Sequence, residues 1–138
     1  MSAPPPVAAR PSLRAITFDF ANTLVPVNAA TFRAVMGLTV AGAAGPCGIA
    51  DQAAFLATWA EERDRQFRED VPEGREVSLP QRAGRVLARI RGMAPPTSDV
   101  RWDDAAAERR STAAERELII DLYTRSFVDA MQIGRAHV

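Results

Sequence analysis

The chain has 138 residues, of which 47% are hydrophobic and 25% charged, with 17 basic and 17 acidic side chains. These values are ordinary for one soluble globular domain. A formal net charge of zero gives no electrostatic basis for binding nucleic acid or an anionic membrane, so neither partner is expected. Cys47 is the single cysteine, which excludes an intramolecular disulfide and favours a cytoplasmic location.

Residues 1–12 contain four prolines and predict a disordered or polyproline-like tail. They lack the apolar stretch of a signal peptide. No segment of the chain approaches the roughly 20 apolar residues that cross a bilayer. Neither secretion nor insertion into a membrane is expected.

Residues 13–27 hold the stretch with the most distinctive chemistry. Arg14–Phe18 has the β-branched and aromatic content of a buried strand. Asp19 follows directly, and Asn22 supplies turn chemistry three residues later. Because reactive groups of open α/β sheets collect at the carboxyl ends of strands, we expect a catalytic carboxylate here.

The segment Ala15–Val25 resembles motif I of the haloacid dehalogenase (HAD) superfamily, in which hydrophobic residues precede Asp-x-Asp-Gly-Thr-Leu. The resemblance implies an α/β fold with a Rossmann-like core and Asp19 as the nucleophile that forms an aspartyl ester. It also implies Mg²⁺ as cofactor, with the Asp19 carboxylate and the Ala21 backbone carbonyl as metal ligands. Thr23 matches the residue that hydrogen-bonds the transferred phosphoryl group. The implied substrate is a small phosphorylated metabolite.

Two residues depart from this motif. Asn22 replaces glycine, which is a mild change because asparagine tolerates positive φ. Ala21 replaces the second aspartate, the general acid/base of the phosphatases, whose contribution is typically about 10²- to 10⁴-fold. Phosphonatases of the superfamily also lack this acid but need a lysine, and all 17 basic residues here are arginine. A 2-haloacid dehalogenase-like enzyme stays open as an alternative, because such enzymes use an arginine to hold the halide and arginine is plentiful in this chain.

Helical patterns dominate the chain after motif I. Capping residues and apolar spacing predict these boundaries. The predicted helices cover residues 29–41, a helix from the N-cap Asp51 to about Glu69, one from Ser78 to near Gly92, a short one after Asp103 and Asp104, and one from the Thr112–Glu115 capping box to Met131.

The helix after Asp51 carries a stripe of residues at i, i+4 spacing: Phe55, Trp59, Arg63 and Phe67. We expect this stripe to pack against neighbouring helices. The sharper alternative is that Arg63 reaches over the active site and clamps a substrate anion. The charged residues around it predict a solvated face: Glu61, Glu62, Asp64, Arg65, Arg68 and Glu69. Cys47 lies in a loop pattern and is expected to be a bystander.

The series of predicted helices that follows the single predicted strand is similar to the helical cap that many HAD members insert after motif I. By that resemblance, residues 28–132 are the cap, and the chain itself is mainly α with only the first strand of the core. The family's later motifs find no match, so we expect an inactive fragment of a longer hydrolase. The alternative class is a small helical interaction or regulatory protein in which Asp19 is purely structural.

Residues 133–138, Ile-Gly-Arg-Ala-His-Val, match the translation of a common sequencing adapter. They are predicted to be a non-native tail and are excluded from the fold prediction. His137, the single histidine, therefore receives no functional role.

Overall fold

The computed structural model describes residues 28–136, with side chains described as far as residue 131, and every element in this range is helical. The elements are α1 (Ala29–Ala44), α2 (Gln52–Glu69), a 3₁₀ turn (Val71–Glu73), α3 (Leu79–Ile90), α4 (Asp104–Glu108) and α5 (Ala113–Ala136). This confirms that the predicted cap region is mainly α. The predicted tail, strand and motif I loop (1–27) lie outside the described residues, so the Rossmann-like core stays a prediction.

Side-chain caps start the helices where the sequence predicted them. Asp51 Oδ1 accepts a hydrogen bond from the Ala54 amide at 2.9 Å, and Asp103 Oδ1 accepts one from Ala106 at 3.0 Å. Ser78 Oγ accepts a longer one, 3.3 Å, from the Gln81 amide at the start of α3. Each cap satisfies an amide that the first helical turn leaves without an intrahelical partner.

The capping box at the start of α5 is also present. The Thr112 amide donates to Glu115 Oε2 at 2.8 Å, and the Glu115 amide donates to Thr112 Oγ1 at 3.1 Å. Arg91, just after α3, binds both carboxylate oxygens of Glu115 at 2.6 and 3.0 Å and donates to the Cys47 carbonyl at 2.8 Å. One arginine therefore ties the end of α3 to the start of α5 and to the loop after α1.

Helices α1 and α5 pack side by side in opposite directions. Phe32 near the start of α1 lies against Phe127 late in α5, with ring centroids 5.9 Å apart. Cys47, just beyond α1, meets the Glu115 carbonyl at the start of α5. The first turn of α1 therefore lies beside the later turns of α5.

α1 extends to Ala44, so the predicted end at Ala41 is wrong. Gly42, just beyond the predicted end, lies inside the helix and makes room for α5. A Cβ at this position would lie 2.9 Å from Cδ2 of Leu122. The absence of a side chain makes room for Leu122, which outweighs the low helix propensity of glycine.

The main core forms around the apolar face of α3. Ala83, Val86 and Leu87 are fully buried, and Ile90 packs against the edge of the same cluster. The other helices and the loop between α1 and α2 contribute the remaining buried members of this cluster: Val40, Ala43, Cys47, Ile49, Phe55, Trp59 and Ile119. Within the described range, no helix has the length and apolar character needed to span a membrane.

The predicted stripe on α2 is right at its start and wrong at its end. Phe55 and Trp59 are buried, whereas Phe67 is 52% exposed. Each i, i+4 step overshoots a full turn by about 40°, so three steps carry the stripe about 120° around the helix. The buried positions that follow Trp59 are instead Glu62 and Gln66.

We expect the free energy of unfolding to depend on pH through Glu115. The Arg91 guanidinium and the Thr112 amide lower the pKa of Glu115 from 4.5 to about 2. A lowered carboxyl pKa contributes stability that is complete above the unfolded value and is lost as the pH falls toward the folded value. We therefore expect Glu115→Gln to unfold at lower urea concentration than the wild type at neutral pH. The difference should shrink between pH 4.5 and about 2. A constant difference across that range would contradict this role.

Candidate functional site

The residues with the strongest predicted chemistry, Asp19, Ala21 and Thr23, lie outside the described residues. The described chain begins at Asn28, whose side chain accepts from the Thr31 amide and caps α1 directly after the motif I segment. Within residues 28–131, no group of three or more His, Cys, Asp or Glu side chains is placed to hold a metal ion. The predicted Mg²⁺ ligands, Asp19 and the Ala21 carbonyl, stay predictions.

A groove of about 660 Å³ lies between α1 and α2. It begins at Ala29 and Phe32, in the first turns of α1, close to the point where the chain arrives from motif I. Its walls are largely apolar, and the charged side chains among its lining residues are two arginines. The lining residues are Ala29, Phe32, Arg33, Met36, Leu56, Ala57, Trp59, Ala60 and Arg63. We call this the α1–α2 groove.

A ladder of aromatic rings connects this groove to the core. Phe32 packs on Phe127, Phe127 on Tyr123, and Tyr123 on Trp59, with centroid separations of 5.9, 6.3 and 5.9 Å. Trp59 in turn stacks on Phe55 at 5.9 Å. Such offset and tilted pairs add stability beyond the area they bury. The exposed ring of Phe32 in the groove is therefore connected through Phe127 and Tyr123 to Trp59 in the core.

Arg63 stands at the rim of the groove, and its side chain is 42% exposed. Its guanidinium binds the neighbouring Asp64 at 2.9 and 3.0 Å, a pair that water screens because Asp64 is also exposed. Burial raises the pKa of Tyr123, and the positive charges of Arg82 and Arg63 oppose this rise. The role of Arg63 as an anion clamp stays a prediction.

Arg82 is a buried arginine that the sequence analysis did not single out. It is 4% exposed, its Nε donates to Gln66 Oε1 at 2.9 Å, and its guanidinium lies 5.3 Å from the Trp59 ring centroid. No ion pair among the described residues includes Arg82. Burial lowers its pKa. Among the described residues, the charge of Arg82 is thus stabilised by a cation–π contact with Trp59 and by one hydrogen bond to the Gln66 amide.

Glu62 lies at the centre of a buried polar network. The prediction that it belongs to a solvated face is therefore wrong. Glu62 is fully buried. Its Oε1 accepts from Arg89 at 2.8 Å, its Oε2 accepts from the Trp102 indole at 2.9 Å, and Arg65 Nε lies 4.0 Å away. The side chain of Arg65 is 12% exposed and so is also not solvated. Glu61, Asp64 and Arg68 are exposed, as predicted.

The adjacent acids Asp103 and Asp104 start a short helix, as the sequence predicted, and both carboxylates have structural partners. Asp103 caps α4. Asp104 binds Arg85 with two hydrogen bonds, at 2.7 and 3.0 Å, and Arg85 also lies 5.9 Å from the Trp102 ring centroid. Arg85 Nη1 is buried and has no hydrogen-bond partner among the residues that the structure describes. A small cavity of about 220 Å³ beside this pair has a mixed-charge lining.

Cys47 has the properties of a structural residue. It is 3% exposed, and burial raises the pKa of its thiol, with a further contribution from the charge of Glu115. A raised pKa reduces the thiolate fraction, which is the reactive form.

Comparison of the chain with protein-family models, with curated proteins and with solved structures finds no match. The resemblance to the HAD superfamily therefore rests on residues 15–25 alone.

Glu62 and Glu61 offer a matched test of the buried network, since both bind Arg89. Glu62→Ala leaves Arg89 without its inner carboxylate and the Trp102 indole without an acceptor, so we expect a loss of about 3–5 kcal/mol in unfolding free energy. Glu61 binds Arg89 at 2.6 Å, but its side chain is 63% exposed. Glu61→Ala should therefore cost about 0–1 kcal/mol. Urea denaturation measures both, and equal losses would show that the inner carboxylate has no special role.

Proposed function

We propose that the chain belongs to a HAD-like hydrolase that uses Asp19 as its nucleophile, with residues 28–132 as its helical cap. The observation that carries the proposal is the order of residues in Ala15–Val25: an apolar strand pattern, Asp19, a turn residue, then Thr23 and Leu24. The activity is proposed for a protein that joins this segment to residues supplying the family's remaining motifs.

The proposed reaction transfers a phosphoryl group from a small phosphate monoester to water in two steps. A carboxylate oxygen of Asp19 attacks phosphorus, the bond from phosphorus to the ester oxygen breaks, and the leaving alcohol takes a proton. Water then cleaves the aspartyl-phosphate and releases inorganic phosphate. A covalent intermediate divides one difficult displacement into two easier ones.

Each motif residue has a defined place in this proposal. Thr23 donates a hydrogen bond to the phosphoryl group held at Asp19. The Asp19 carboxylate and the Ala21 carbonyl are the oxygen ligands that would hold Mg²⁺, a cation that neutralises phosphoryl charge when bound. The methyl side chain of Ala21 cannot transfer a proton, so the leaving group must take its proton from water. We therefore expect good leaving groups to be favoured.

The arrangement of the helices supports the cap assignment. An inserted cap must leave the core and return to it at nearby points. Asn28 caps α1 directly after the motif I segment, and the Phe32–Phe127 contact places the start of α1 beside the late turns of α5. The start of α1 and the late turns of α5 thus lie on the same side of the described helices, as an inserted cap requires. The α1–α2 groove opens at that same end of α1.

A helical interaction or regulatory protein is the second candidate. It is favoured by the closed core that residues 28–131 form and by apolar side chains left at the surface, such as Leu38, 59% exposed, and Phe67, 52% exposed. In that case Asp19 has no chemical role, and Asp19→Asn should leave function unchanged.

The first test compares the wild-type full-length parent with Asp19→Asn. We expect Mg²⁺-dependent release of phosphate from an aryl phosphate ester in the wild type, and loss of at least about 10²-fold in the variant, because an amide oxygen is a far weaker nucleophile. Phosphate release assayed with and without a chelator measures both effects. Equal rates for the two proteins would exclude the proposed nucleophile.

The second test restores the missing acid/base. Ala21→Asp in the same protein should increase the rate on substrates with poor leaving groups, such as alkyl phosphates, by about 10²-fold or more. The rate on aryl phosphates should change less, because their leaving groups need less help from an acid. No gain on alkyl phosphates would show that Ala21 is not what limits turnover.

A further inference from the structure

We propose that the α1–α2 groove binds a small amphiphilic anion, with a flat apolar body and one phosphate or carboxylate group. As a statement about substrate class this rests on the proposed hydrolase function, whereas the binding itself is a property of the described helices.

The size and lining of the groove are those of a small-molecule site. Its volume of about 660 Å³ lies within the roughly 300–1,000 Å³ usual for such sites. Phe32 is 38% exposed, and Met36 and Leu56 are half-buried along its walls. Two further cavities of the described residues, of about 220 and 400 Å³, have acidic side chains in their walls.

The charge of the groove selects an anion. Arg33 and Arg63 are among its lining residues, and none of the described residues that line it carries a carboxylate. Arg63 has only the exposed Asp64 as an ion-pair partner within the described range. Because a screened surface pair is worth little, an incoming phosphate or carboxylate can compete for this guanidinium.

The aromatic ladder selects a flat apolar body. Phe32 is exposed to the groove at one end of the ladder, and Trp59 lines the groove at the other. Burial raises the pKa of Tyr123, which lies between them in the ladder, and the positive charges of Arg82 and Arg63 oppose that rise. An aromatic ligand would thus pack on the exposed Phe32 ring, in a groove whose lining also includes Arg33 and Arg63.

Naphthyl phosphate is the probe, and the 138-residue chain is the protein. The two tryptophans provide an internal control in NMR spectra of backbone amides and indole N–H groups. Trp59 lines the groove, whereas the Trp102 indole is bound to Glu62 in a different cluster. We expect the Trp59 indole signal to shift on titration and the Trp102 signal to stay in place. Naphthol and inorganic phosphate should each cause smaller shifts at the same concentration.

Arg63→Gln should weaken the affinity about fivefold to tenfold, the effect of losing one charge-assisted contact. The matched control is Arg68→Gln, which removes the same charge from an exposed position of α2 that does not line the groove. Ala57→Phe, at an exposed lining position, should block binding by filling the groove.

Three results would overturn the proposal: no shift of Trp59 with naphthyl phosphate, equal shifts with naphthol, or equal weakening by Arg63→Gln and Arg68→Gln. Hydrolysis of the same probe by the full-length parent separates this inference from the proposed function. Binding at Trp59 without hydrolysis in the parent would refute the hydrolase and keep the groove. Hydrolysis without a shift at Trp59 would refute the groove and keep the hydrolase.

Discussion

The fully buried carboxylate of Glu62 is the constraint on which the rest of this bundle depends. A charge removed from water must be paired and hydrogen-bonded, and Arg89 on α3 and the indole of Trp102 meet that need. The pairing fixes the rotation of α2 about its own axis. With Glu62 turned inward, Trp59 faces the core one turn earlier, and Arg63, the next residue, is carried to the rim of the groove. The buried charge thus helps to set which side of α2 lines the groove.

Local chemistry in the sequence was sufficient to predict most of the helices. Each helix cap is a hydrogen bond between residues three positions apart, so it can be predicted without knowing the fold. The capping residues are Asp51, Ser78, Asp103 and the Thr112–Glu115 pair. The burial of Glu62 could not be predicted in this way. Its partners, Arg89 and Trp102, come from distant positions in the chain, and a run of charged residues on a helix more often marks a solvated face.

The α1–α2 groove could not be predicted from the sequence either, because it also depends on contacts between residues far apart in the chain. The helical spacing singled out Trp59 and Arg63, but neither their position at a cavity nor the buried Arg82 behind Trp59 follows from periodicity. Both depend on how α1 and α5 close around α2 and α3. The predicted catalytic residues present the opposite case, since Asp19 and Thr23 follow from a motif alone and lie outside the described residues. The proposed function joins these two sources: chemistry from residues 15–25 and ligand selection from the helices that follow.

A covalent phosphoryl group on Asp19 would be the most direct sign of the proposed chemistry. The measurement is mass spectrometry of peptides from the full-length parent, quenched in acid during turnover of an aryl phosphate with Mg²⁺. We expect one phosphorylated peptide, containing Asp19, that disappears when the metal is chelated. Turnover with no phosphorylated peptide, or with the phosphoryl group mapped to another residue, would contradict the assignment of Asp19 as the nucleophile.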